Sequence, residues 1–144
     1  AAKIPYHMIA GVTAASAAGA VLNTGLSLRK EILSISFITA SFSHPDQDIH
    51  AILDQFNDQS SLVIYMPLHK INTIIAALLQ NGAHPTTPIA ILSAISLPSQ
   101  SCIVGTLTNI KTKLKEYKPK SPGIVVVSKL IAHSTLIDNT VTIN

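Results

Sequence analysis

At 144 residues the chain has the length of one domain, enough to bury a core. Apolar residues make up 47% and charged residues 12%, yet no apolar run reaches the ~18–20 residues that span a bilayer, which argues against a helical membrane protein. The net charge of +3 does not argue for a nucleic-acid partner, because Lys111, Lys113, Lys115, Lys118 and Lys120 supply half of the ten basic residues in one segment that is read as a solvated helix face. No apolar leader follows Lys3 and Pro5, and Cys102 is the single cysteine, so the expected compartment is a reducing cytoplasm.

Along the chain, strand and helix patterns alternate. YHMIA at 6–10 is a short apolar run that predicts a strand. Gly11 breaks it, and Thr13 is placed to cap a helix running through Leu22. Ala14, Ala15, Ala17, Ala18 and Ala20 give that helix high propensity and a slim surface; Asn23, Thr24 and Gly25 end it. ILSISFITA at 32–40 alternates and is rich in β-branched residues, predicting a strand. SHPDQD at 43–48 predicts a turn and helix start, followed by Ile49, Ile52, Leu53 and Phe56 at helical spacing. SSLVIYMP at 60–67 predicts a buried strand closed by proline. HKINTIIAALLQNG at 69–82 carries the clearest helical stripe, Ile71, Ile74, Ile75, Leu78 and Leu79, with Gly82 as its stop.

PIAILSAI at 88–95 and SCIVGTL at 101–107 predict two strands whose short connection makes them a hairpin. LTNIKTKLKEY at 107–117 predicts an amphipathic helix with Leu107, Ile110, Leu114 and Tyr117 inward, and GIVVVSKL at 123–130 a central strand. The polar tail from His133 is expected to fray or to pair at an edge. The sum is an α/β fold: a mixed β-sheet flanked by helices.

Chemistry is harder to find. His44, Asp46, Asp48 and His50 lie close together, and His50 with Asp54 shares a helical i, i+4 spacing. A structural zinc site would want four tight ligands, usually including cysteine, whereas the aspartates suit the positive end of a starting helix, so no metal is expected. The chain contains no G-x-S-x-G elbow, no G-x-G-x-x-G turn and no phosphate-binding loop. Cys102 falls mid-strand, where an inert buried thiol is expected, and no catalytic residue is singled out.

Several segments in collinear order resemble the tetrapyrrole methylase family, in particular its branch acting on uroporphyrinogen III. PYHMIAGVTAASAAG resembles the segment built on V-P-G-[IV]-T-A-A-S, and LSLRK stands where the family has L-T-H-R. SLVIYMPLHKINTIIAALLQNG resembles the T-L-V-x-Y-M-G strand and its helix. PIAILSAISLPSQSCIVGTLTNI resembles the segment with an E-x-G-T turn and a closing G-T-L, and KSPGIVVVSKLI the final strand. The likeness runs from about Ile4 to Ile131 and covers the second lobe of a two-lobed fold, giving a C-terminal lobe at 1–132 and a polar tail at 133–144.

The resemblance implies S-adenosyl-L-methionine as cofactor, held between the lobes, and a uroporphyrinogen-like tetrapyrrole as substrate. The implied cofactor contacts are Thr13, Ala14, Met66, Ala90, Ile95, Thr106 and Leu107, with Arg29 as the candidate for a substrate carboxylate. The implied partners are the N-terminal lobe absent from this sequence and a second copy in a homodimer. Four residues, Ser93 to Ser96, stand where the family has E-x-G-T, so Ile95 replaces a glycine and its branched side chain is expected to narrow the cofactor's approach. Pro67 replaces another glycine and removes a backbone donor. These departures support an alternative, a non-catalytic dimerisation or interaction module derived from this lobe. Another precorrin methyltransferase is a further alternative.

Overall fold

The computed structural model describes residues 3–40, 53–54, 56–134 and 141–142. Thr13 caps α1 (Ala14–Val21) from an extended conformation, its side chain accepting the Ala15 N–H. The helix buries Ala15, Ala18 and Gly19, so its slim face brings its backbone close to the sheet. Asn23, with φ of +50°, takes the left-handed conformation that stops it.

The strands are β1 (Ser34–Thr39), β2 (Ser60–Tyr65), β3 (Pro88–Ser93), β4 (Ser101–Thr106), β5 (Gly123–Val127) and the two-residue β6 (Val141–Thr142). They form one sheet in the order β1-β2-β5-β3-β4-β6. Only β1 and β2 pair in parallel; the other pairings are antiparallel, including the expected β3–β4 hairpin, which joins Pro88 to Thr106 and Ser93 to Ser101. The sheet is therefore mixed, with the GIVVV strand at its centre. The tail pairs at the outer edge of β4 through Val141 and Thr142.

Alternation sends the two sides of each strand to two cores. Val63, Leu92, Ile124 and Val126 pack beneath α1 with Ala15, Ala18 and Leu22. Leu62, Ile64, Ile91 and Val125 pack on the other face, against α2 (Ile71–Gln80) and α3 (Ile110–Glu116). The α2 stripe behaves as its spacing predicts: Ile74, Ile75 and Leu78 are buried, and Gly82 ends the helix with φ of +88°. A short 3-10 helix (Lys129–His133) follows β5.

The strand expected at 6–10 does not form. Residues 3–12 run without helix, turn or bend, and none pairs with a strand among the described residues. Ile4, Tyr6, Met8 and Ile9 are 73–92% exposed. A strand needs a neighbour to satisfy its N–H and C=O groups, and this segment has strand composition without one. The helix start expected at 43–48, and Ile49 and Ile52 after it, lie outside the described residues, as do His44, Asp46, Asp48 and His50; Leu53 is buried and Phe56 packs against the α2-side core.

Two features carry predictions. The buried Ser61 hydroxyl donates to Ser128 Oγ (2.7 Å), which also accepts the Leu130 N–H (3.2 Å). Ser128→Ala leaves both donors unpaired and is expected to lower stability by about 1–3 kcal/mol in urea denaturation, whereas Ser61→Ala leaves the Leu130 bond intact and costs less. Cys102 is buried mid-strand, and burial pushes its thiol from 9.0 up to about 12. The folded thiol stays protonated where the unfolded one ionises. The stability this contributes is intact below about pH 9 and is lost as pH rises towards about 12. Alkylation near pH 8 is expected to require unfolding.

Candidate functional site

Because β2 and β3 both run antiparallel to β5, they point the same way. The ends of β1, β2 and β3 therefore gather at one edge of the sheet with the starts of β4 and β5. That edge holds Tyr65, Met66 and the turn 94–96. The opposite edge, about 17 Å away along six-residue strands, holds Thr106 and Leu107.

The sequence-derived candidates divide between the two. Thr13 is tied to the Met66 edge by a hydrogen bond between its hydroxyl and that of Tyr65, so the start of α1 sits over the end of β2. Ala14 is exposed beside it. Met66 is 59% exposed and lines a cleft of about 430 Å3 with Ala40, Leu68, His69, Pro122 and Gly123. Gly123 makes room there: a Cβ on it would lie 2.8 Å from the Leu68 side chain. Met66 has φ of +53° although it precedes a proline, which disfavours helical conformations before it and marks a strained junction.

Ile95 belongs to the same edge. The turn around it is held by three hydrogen bonds: Ala94 N–H to the Pro122 carbonyl (2.8 Å), Leu97 N–H to the Ala94 carbonyl (3.0 Å) and Ser96 N–H to the Gln100 side-chain oxygen (2.7 Å). Ala94 and Ser96 take φ of +50° and +66° on either side of it. The Ile95 side chain packs against the α1-side core. Ser93 at the end of β3 has a buried hydroxyl with no partner among the described residues.

The remaining candidates lie elsewhere. Ala90 is fully buried beneath α1, and Leu107 is fully buried in the α2-side core at the far edge. Thr106 ends β4 there, its N–H capped by Asn109 Oδ1 (2.8 Å). Arg29 follows α1, which descends from the Met66 edge; Thr24 Oγ1 bonds to the Leu130 carbonyl beyond the end of β5, and Leu33 N–H to the Gln59 carbonyl before β2, so Arg29 stands with the far edge too. Tyr65, which fixes Thr13, was legible only as the tyrosine of the Y-M pair. His69 and Lys70, neither of them marked out by sequence spacing, also line this cleft. No cluster of metal-ligating side chains occurs among the described residues. Among those residues, too, no helix is long and apolar enough to cross a membrane.

The family model of the Tetrapyrrole (Corrin/Porphyrin) Methylases matches residues 1–111. A siroheme synthase of Acinetobacter baylyi is 30% identical over 132 residues, which make up 92% of this chain and 29% of that protein. A uroporphyrinogen-III C-methyltransferase of Methanocaldococcus jannaschii is 30% identical over 90% of this chain and 53% of its own length. The fold matches the uroporphyrin-III C-methyl transferase of Thermus thermophilus crystallised with S-adenosyl homocysteine, at a TM-score of 0.70 and 20% identity, over 90% of this chain and 55% of that one. The chain thus spans between under a third and about half of the length of these proteins.

Proposed function

This chain belongs to the tetrapyrrole methylases, and on that premise we propose that residues 1–132 form the C-terminal lobe of an S-adenosyl-L-methionine-dependent C-methyltransferase acting on a uroporphyrinogen-like tetrapyrrole. Residues 133–144 are its tail. The opposite wall of the site is an N-terminal lobe of the kind that the longer relatives have room for. The working form is a cytoplasmic homodimer.

The observation that carries this reading is the meeting of Thr13, Tyr65 and Met66 at one sheet edge. The cofactor fits the residues there. The first turn of α1 offers backbone N–H groups and an alanine at the point of approach, which suits a carboxylate end. Met66 gives an adaptable apolar surface for an adenine ring. The glycine-to-isoleucine change at residue 95 is tolerated, because the added side chain packs against the core. When bound, S-adenosyl-L-methionine would supply an electrophilic methyl group for a pyrrole carbon. This chain's part is to hold and orient the cofactor and to close one side of a dry crevice. The extended apolar segment at 3–12, with Val12 also 86% exposed, supports a second body covering it.

Calorimetric titration of the chain with S-adenosyl-L-methionine tests the reading. Saturable micromolar binding, by the chain alone or after an N-terminal lobe is added, is the expected result; absence of binding under both conditions, with the fold intact, would overturn it. The alternative of an interaction module is favoured by Pro67, buried where a backbone donor is lost, and is the reading that such a null titration supports.

A further inference from the structure

Beside the Met66 cleft lies a second one of about 480 Å3, between the start of α2 and α3. The two share Leu68 and adjoin along 118–123. Its floor is apolar, made by Ile71, Ile91 and Leu114, and its rim carries Lys111, Lys115 and Lys118. Lys111 and Lys115 lie one turn apart on α3, Lys118 follows just beyond its extended C-cap Tyr117, and all three line one opening. No carboxylate lines it, and none of the three makes an ion pair among the described residues. A merely solvated lysine face has no cavity beneath it; this one has an apolar floor large enough for part of a ring system. Arg29, the substrate candidate from sequence, stands at the far edge of the sheet. Among the described residues, the lysines that line the two clefts are these three and Lys70.

We propose that this lysine-rimmed cleft binds the carboxylates of the tetrapyrrole substrate, with a face of the macrocycle on the Ile71–Leu114 floor and the reacting ring directed towards Met66. The proposal rests on the function inferred above and adds the substrate's position to it. A polycarboxylate with a flat apolar body matches the site on both counts, since ammonium groups attract its periphery and the apolar floor receives its faces.

The test uses the stable, fluorescent octacarboxylate uroporphyrin III, titrated against the full chain and the variant Lys111→Gln/Lys115→Gln/Lys118→Gln. All three positions are exposed, so the fold is expected to survive; circular dichroism checks it. The proposal predicts saturable binding that weakens with salt, about tenfold or more weaker binding by the variant, and little binding of the corresponding octamethyl ester. Equal binding by chain and variant overturns it, as does displacement of uroporphyrin by inorganic phosphate at equal concentration, which marks a generic anion site. S-adenosylhomocysteine is titrated in parallel. Unchanged cofactor binding with lysine-independent uroporphyrin binding defeats this proposal alone; cofactor binding that is absent both with and without an added N-terminal lobe defeats the function on which it rests.

Discussion

Leu78→Ala is expected to cost about 2–5 kcal/mol of folding stability. Leu78 is fully buried on α2, in the core that holds that helix against β2, β5 and β3. Truncation removes its transfer free energy and leaves a cavity between two rigid layers. The sheet behind it is set by register and the helix in front by Ile74 and Ile75, so neither collapses easily into the gap. Urea denaturation measures the loss as a lower midpoint at unchanged slope. Leu78→Met, which keeps the volume, is expected to cost less than about 1.5 kcal/mol. A loss below about 1 kcal/mol in the alanine variant would mean that α2 is not anchored as described.

Ala18→Leu is expected to damage both the fold and the site. Ala18 is fully buried under α1, where the helix lies close enough to the sheet that only small side chains fit. A leucine there overpacks the interface, at an expected cost of about 1–3 kcal/mol. The helix is pushed outward, and Thr13, one residue before it, loses its hydroxyl contact with Tyr65. S-adenosyl-L-methionine binding should therefore fall well beyond the change in stability, at temperatures where the variant is still folded. Ala20→Leu, on the exposed side of the same helix, is the control and should leave both properties near those of the parent.

The sequence is most legible where one residue's neighbours lie on its own element. The α2 stripe, the alanine helix with its Thr13 cap and the β3–β4 hairpin all follow from spacing and local turn chemistry. The centrality of β5 is legible as well, since GIVVV has apolar residues on both faces, as a strand buried on both sides requires. Residues 6–10 mark the limit of this logic. Their composition predicts a strand, but a strand is a property of a pair, and no described strand lies beside them.

The site divides in the same way. Thr13 with Ala14, Met66 and Ile95 come from three separate segments, and the sheet brings them to one edge because β2 and β3 run parallel through their shared neighbour. That relation needs the strand order, which local pattern does not encode. Lacking it, the resemblance assigns Thr106 and Leu107 to the same cofactor site as Met66, though the length of a strand separates them. The Ile95 side chain depends on a tertiary fact too: flanking residues with positive φ and the Gln100 brace set a turn in which it packs inward.

The chain has two methionines, Met8 and Met66, and this makes the most direct measurement simple. With both side-chain methyl groups carbon-13 labelled, each gives its own signal as S-adenosylhomocysteine is added. The Met66 methyl is expected to shift progressively to saturation while the Met8 methyl, out on the exposed segment, stays where it was. A Met66 signal that holds still at millimolar ligand both with and without an added unlabelled N-terminal lobe, or a ligand that moves Met8 instead, would contradict this expectation.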